Sequence, residues 1–226
     1  MESTIKETGS QEISPAEKKI AISLESFPHL EFKDRVFLVL VWKGFKTASA
    51  ISLELGFLDD NDLEERVKKA SLFLKPDRII DEEMYGLKPG KVYFIANNQQ
   101  DLDLISEKWF GNQIDDPNVY REIGRMSGFP QTAKDAYDTV FSSPESDRKG
   151  KEKELFISED EKRELLKLEP DLLPFAFLLY MSRENFQTEL ETVRKWAKTI
   201  RFFTPALYGA FISDFKIKEA RRALKS

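Results

Sequence analysis

The residues able to do chemistry in this 226-residue chain are few and unevenly placed. Nine Lys/Arg fall between Arg194 and Ser226 against two Asp/Glu, a local net of +7 in a chain of net charge −5, so the remainder carries −12. At helical spacing Arg194, Lys198 and Arg201 share one face, and Lys218, Arg222 and Lys225 share another. Phe202 and Phe203 lie between the two groups, and rings set among cations suit stacking on the bases of a single strand. These six basic residues are the candidate contacts to nucleic acid or another anion. A solvated basic face that complements the helix dipole, or one that pairs with the acidic remainder, is the competing account.

Other chemistries are narrowed by composition. The chain has no cysteine and one histidine. Thiol nucleophiles, iron–sulfur clusters and Cys-type zinc sites are excluded, as is a site built on two histidines of one chain. His29 follows Phe27-Pro28 and reads as a turn residue. Carboxylate pairs recur at Asp59-Asp60, Glu64-Glu65, Glu82-Glu83 and Asp115-Asp116. General acid–base work needs burial to separate the pKa values of such a pair, and these sit in hydrophilic turns or on polar helix faces. The run Asp59-Asp60-Asn61-Asp62 begins like a calcium loop but lacks the glycine and terminal Glu at the required spacing. No catalytic residue, cofactor or metal ligand is assigned.

The most compact motif is Tyr120 to Tyr137. It reads as a helix, a stop at Gly128, Phe129 and Pro130, and a second helix. Gly128 suits a left-handed C-cap, and Pro130 prevents the first helix from continuing. A helix-turn-helix would use Gly124, Gly128 and Phe129 in this way. Its second helix, however, presents Lys134, Asp135 and Asp138, and two acids against one base suit phosphate poorly. The expectation is a structural corner between two core helices.

The same residues carry two resemblances. Tyr120, Glu122, Ile123, Gly128, Pro130, Ala133 and Ala136 resemble the DNA-reading corner of the alkylguanine-DNA alkyltransferases. That family places an arginine near Lys134 to help extrude the base. Its reactive Pro-Cys-His-Arg centre is absent, so the resemblance implies a shared corner without alkyl transfer. Gly128-Phe129-Pro130, Thr132-Ala133 and Tyr137, with the order of elements around them, resemble a group of uncharacterised prokaryotic domain-of-unknown-function proteins that carry a Gly-(Tyr/Phe)-Pro corner. Some members of that group follow the corner with a Cys pair, which this chain lacks.

The elements that must position these residues follow from the hydrophobic pattern. Residues 1–15 read as a disordered tail, with Pro15 opening the first ordered segment. Arg35 to Trp42 is a continuous apolar run that suits a buried strand or a buried helix equally. Leu63, Val67 and Ala70 recur at helical spacing, with Lys75-Pro76 as the stop. Val92 to Ala96 is the best short strand. It leads through Asn97-Asn98 into a helix with Leu102, Ile105 and Trp109 in register, an order that reads as half of a βαβ unit without a phosphate-binding glycine loop. Ser142 to Lys153 has no apolar residue and reads as a charged linker.

Beyond the linker the signals are helical. Ser158 and Glu161 form a capping box. Ser182 is the expected cap of a helix whose stripe is Phe186, Leu190, Val193, Trp196 and Ile200, and Thr204-Pro205 starts the last helix. The start of the chain has neither the basic nor the apolar region of a signal peptide, and the apolar run Val36 to Trp42 is far short of the ~20 residues that span a bilayer.

The expectation is therefore an α+β protein, predominantly helical with a small sheet and a helical C-terminal region. Residues 16–141 would form an α+β domain, 142–153 a charged linker, and 154–226 a helical region packing on the first domain. The three absences, of thiol, histidine cluster and phosphate loop, point to a cytoplasmic, non-enzymatic interaction or regulatory module with no cofactor and no membrane contact. Its partner is an unidentified protein. The alternative is nucleic acid, bound through the helix-turn-helix-like corner at 120–137, the basic C-terminal helices, or both. Oligomeric state is left open.

Overall fold

The computed structural model describes residues 12–27, 29–54, 60–83, 87–109 and 117–224. Residues 1–11 of the expected tail, Asp59, the Asp115-Asp116 pair and Lys225 lie outside them. The fold is α+β, 63% helical, with one small antiparallel sheet.

Local chemistry sets the first elements. Helix α1 (Pro15–Glu25) opens on a capping box, with the Ser14 side chain accepting from Glu17 N and the Glu17 side chain reaching back. The apolar run resolves as helix α2 (Phe32–Trp42), whose Val36, Leu38, Val39, Leu40 and Val41 are all buried. A helix covered on nearly every side leaves no polar stripe, which is why periodicity alone leaves it ambiguous. Strand β1 (Ala48–Leu53) follows, then α3 (Asp60–Lys69), β2 (Phe73–Ile80) and β3 (Gly90–Ala96).

The sheet has the order β1-β3-β2, and β3 pairs antiparallel with both neighbours. The βαβ expectation is thereby corrected. Helix α4 (Gln99–Lys108), capped by Asn98, covers the sheet instead of crossing to a parallel strand. Pro76 also proves not to stop a helix. It lies in edge strand β2, beside a register irregularity between Pro76 and Ile79, where a missing N–H is tolerated. One face of the sheet, with Ile51, Leu53, Tyr93 and Ile95, joins the large core under α2. The other, with Ala48, Ala50, Val92 and Phe94, packs with Leu102 and Ile105 of α4.

Two helices form the corner, α5 (Pro117–Met126) and α6 (Gln131–Phe141). The segment expected as a linker instead carries helix α7 (Glu145–Leu155). It has no buried residue, so it leaves no hydrophobic signature. Glu145 and Asp147 in its first turn and Lys153 in its last complement the dipole.

Helix α8 (Glu159–Leu165) starts at the expected Ser158–Glu161 capping box. A 3-10 turn (Pro170–Leu172) and α9 (Leu173–Ala176) lead to α10 (Phe186–Phe203) and α11 (Pro205–Ala223). The five-residue stripe of α10 is buried throughout and joins the same large core as α2 and the sheet. Ser182 does not cap α10 directly. Its hydroxyl donates to the buried Glu189 at 2.7 Å and accepts from Asn185 N at 3.3 Å. Glu189 also accepts from Thr132 Oγ1 at 2.9 Å, tying α6 to α10. Pro205 opens α11, but the Thr204 hydroxyl turns back to Ile200 O at 3.0 Å rather than capping the new helix.

Candidate functional site

A turn and the corner meet to make the site. After α2 the chain reverses at Gly44, whose φ of +73° favours glycine. Phe45 N and Lys46 N then both donate to Leu40 O, at 2.9 and 3.2 Å. This double contact turns Lys46 inward. At the other side α5 ends at Met126, and Gly128 adopts a φ of +70°. A Cβ on Gly128 would stand 1.9 Å from Phe45 O, so only glycine lets the corner lie against the turn.

Lys46 is the product of this contact. It is 3% exposed, and its Nζ donates to Ser127 O at 2.9 Å while Thr47 N donates to Met126 O at 2.9 Å. Two carbonyls at the C-terminus of α5 are thus supplied with donors from the 46–47 backbone and side chain. Around the ammonium stand the rings of Phe37 at 4.4 Å, Trp196 at 5.2 Å and Phe129 at 5.8 Å. No carboxylate pairs with it among the described residues. Burial, with repulsion from Lys33 added, brings its pKa down to about 7.

Lys46 opens on a cleft of about 550 Å³ between α2, the corner helices and the segment after α9. Among the described residues its charged lining is one-sided, with Lys33, Lys46, Arg121 and Lys134 against Asp138. Arg121 and Asp138 pair at 2.9 Å, so the net charge of the lining is positive in a chain that is acidic overall. Gly124 allows the stem of Lys134 to lie across α5, since a Cβ there would be 3.3 Å from Lys134 Cγ. The walls are aromatic, formed by Phe37, Trp109, Phe129, Tyr137 and Tyr180. Tyr137 and Tyr180 meet edge-on with centroids 5.6 Å apart. Apolar walls with a few converging charges suit a small ligand, here an anionic one.

The residues singled out in sequence fall in several places. Gly128, Phe129 and Pro130 form the corner, and Phe129 also lines the cleft. Lys134 and Asp138 of α6 face the cleft, while its outward Asp135 accepts from Gln131 at 2.7 Å.

The basic C-terminal residues are largely engaged within the chain. Arg194 pairs with Glu169 and Glu191 at 2.5 and 2.6 Å, Lys218 with Asp214 at 2.7 Å, and Arg222 with Glu159 at 3.1 Å. Arg201 lies over the Tyr208 ring at 5.9 Å. Lys198 is exposed, with no ion pair among the described residues. Phe203 packs edge-on against Trp42 at 5.5 Å and carries Lys43 on its face, leaving Phe202 as the more exposed ring. His29 lies in the turn ahead of α2, and Glu64-Glu65 and Glu82-Glu83 are exposed. No cluster fit to hold a metal ion occurs among the described residues.

Sequence reasoning missed Lys46. Its only signal is that residues 43–53 contain two lysines and no acid, so a lysine drawn inward there has no local counter-ion. The chain matches no protein family, no curated protein and no solved structure.

Proposed function

We propose that this chain is an interaction or regulatory module that takes a small aromatic anion into the cleft over Lys46. The observation that carries the reading is the buried Lys46 amine, without a carboxylate partner among the described residues, opening on a cleft whose lining is cationic and whose walls are aromatic. An anion would supply the missing counter-charge, and in a desolvated site charge-assisted contacts are stronger than at the surface.

Calorimetric titration with phenyllactate, an aromatic carboxylate, against phenethylamine, an aromatic cation, tests the proposal. The anion is expected to bind saturably, and Lys134→Glu to weaken it about tenfold, or 1.4 kcal/mol. Equal binding of the two compounds, or no saturable binding of the anion at millimolar concentration, sinks the reading.

A second reading is nucleic-acid binding through α10 and α11, favoured by exposed Lys198 and the 44% exposed ring of Phe202. Pairing of Arg194, Lys218 and Arg222 within the chain favours the cleft over it. Electrophoretic binding to labelled single strands at two salt concentrations decides, because phosphate contacts must weaken as salt rises.

A further inference from the structure

We infer that Lys46 is an imine-forming amine, whose Nζ captures the carbonyl carbon of a small aromatic 2-oxo acid seated in the cleft. The inference rests on the cleft being an anion site, as proposed above, and adds the class of anion and the bond it makes.

Three features of the geometry point the same way. The amine belongs to a buried lysine that lines the cleft and is held by a hydrogen bond to Ser127 O at 2.9 Å, so its position is fixed with no ion pair among the described residues to lock it as ammonium. The Nζ atoms of Lys46 and Lys33 stand 4.4 and 5.8 Å from the centroid of one ring, Phe37. Lys134 lines the same cleft, so a carboxylate taken up there enters a cationic lining, and in a 2-oxo acid the carbonyl carbon is one bond from that carboxylate. The aromatic walls receive the remaining ring, with Phe129 from the corner and the edge-on pair of Tyr137 and Tyr180. Burial and Lys33 bring the pKa down to about 7, so a share of the amine is neutral near pH 7, the form that attacks a carbonyl.

The step balances without a further reagent. The nitrogen lone pair of the neutral amine adds to the carbonyl carbon, and the carbonyl oxygen takes up a proton to give a carbinolamine. Loss of that oxygen as water, carrying the two hydrogens that left nitrogen, yields the C=N bond. Nothing is oxidised or reduced, and hydrolysis reverses the capture.

The test uses the full chain, phenylpyruvate as the carbonyl probe and phenyllactate as its hydroxy counterpart. Phenylpyruvate is added with sodium cyanoborohydride, which reduces an imine to a stable secondary amine, and the modified lysine is located by peptide mass spectrometry. Near-stoichiometric modification at Lys46 is expected, with the surface lysines modified far less and phenyllactate competing. Lys46→Arg, which keeps a cation but has no imine-forming amine, is expected to lose the modification. Saturable binding of both compounds without modification at Lys46 overturns the inference and leaves the anion site standing. Binding of neither overturns both. Mapping the site on the unaltered protein keeps the test decisive even where the arginine variant folds poorly.

Discussion

Replacing Lys46 with methionine should stabilise the protein at pH 7 and destabilise it slightly at pH 10. Several terms compete at this side chain. The rings and the C-terminus of α5 favour the ammonium, by about 0.5–2 kcal/mol for a desolvated cation–π contact and about 0.3–1 kcal/mol for the dipole. Desolvation opposes it and wins, since the pKa falls from 10.5 to about 7. Between those values the unfolded chain holds the proton and the folded chain has released it. Stability therefore rises with pH through that window, by about 1.4 kcal/mol per pH unit and about 5 kcal/mol in all as an upper figure. Methionine fills similar volume with no charge and no donor, so Lys46→Met removes the pH dependence and leaves Ser127 O unpaired, at about 1–2 kcal/mol.

The two stability curves should cross. The variant is the more stable by about 2 kcal/mol at pH 7, a rise of roughly 4–8 °C in Tm for a chain of this size, and the less stable by about 1 kcal/mol near pH 10. Urea unfolding followed by tryptophan fluorescence at a series of pH values measures both arms, with Trp196 as a buried reporter beside the site. The difference between the proteins cancels other lysines and tyrosines that titrate there. Parallel curves, or a variant less stable than the wild type by more than about 1 kcal/mol at pH 7, would refute the reasoning and make the ammonium a net stabilising cap.

Two further outcomes follow from the same region and from the sheet. Gly128→Ala should lower stability by at least about 3 kcal/mol, combining left-handed strain with a Cβ 1.9 Å from Phe45 O, and calorimetry would read it as a drop in Tm; a loss under about 1 kcal/mol would mean the corner does not rest on the turn. Asp34, buried in α2 and accepting from Ser52 N at 3.1 Å, has a pKa raised to about 7 by desolvation despite the partner, so its folded value exceeds its unfolded one. Stability contributed by its protonated form is lost as pH rises from about 4 to 7, by up to about 4 kcal/mol, and Asp34→Asn should flatten that fall in urea titrations; an unchanged slope counts against it. With Lys46 relieved only above pH 7, these two groups together place a trough in stability near neutrality.

The legible parts of the fold are those where burial is one-sided. The α10 stripe, the Ser158 capping box and strand β3 each present a local pattern, and each is found where the pattern puts it. The illegible parts lack such a contrast. Strand β1 is buried on both faces and built from small residues, so Ala-Ser-Ala-Ile-Ser-Leu alternates in nothing. Helix α7 is buried on neither face, and without an apolar stripe its charges read as a linker although they suit both ends of its dipole. Strand β2 survives with Pro76 because it is an edge, and a sequence does not show which strands are the edges.

The site divides in the same way, and the division has a physical cause. Gly128 and Pro130 report a helix end, because the backbone there needs a left-handed residue and a block to continuation. What they do not report is which donors satisfy the carbonyls left at that end. Those donors are Thr47 N and Lys46 Nζ, some eighty residues earlier in the chain, with Lys46 and Ser127 being 81 apart. The corner and the turn explain each other. Gly128 is needed because Phe45 O presses on it, and Lys46 is buried because that contact carries its backbone past the helix end. A lysine buried by backbone packing, with no acid paired to it among the described residues, retains unused electrostatic demand, and that demand faces an aromatic cleft whose lining repels a cation. The basic C-terminal helices have the larger charge, but much of it is already met by Glu169, Glu159 and Asp214. Charge left unpaired where water is scarce is a stronger pointer to a ligand than charge that is merely abundant.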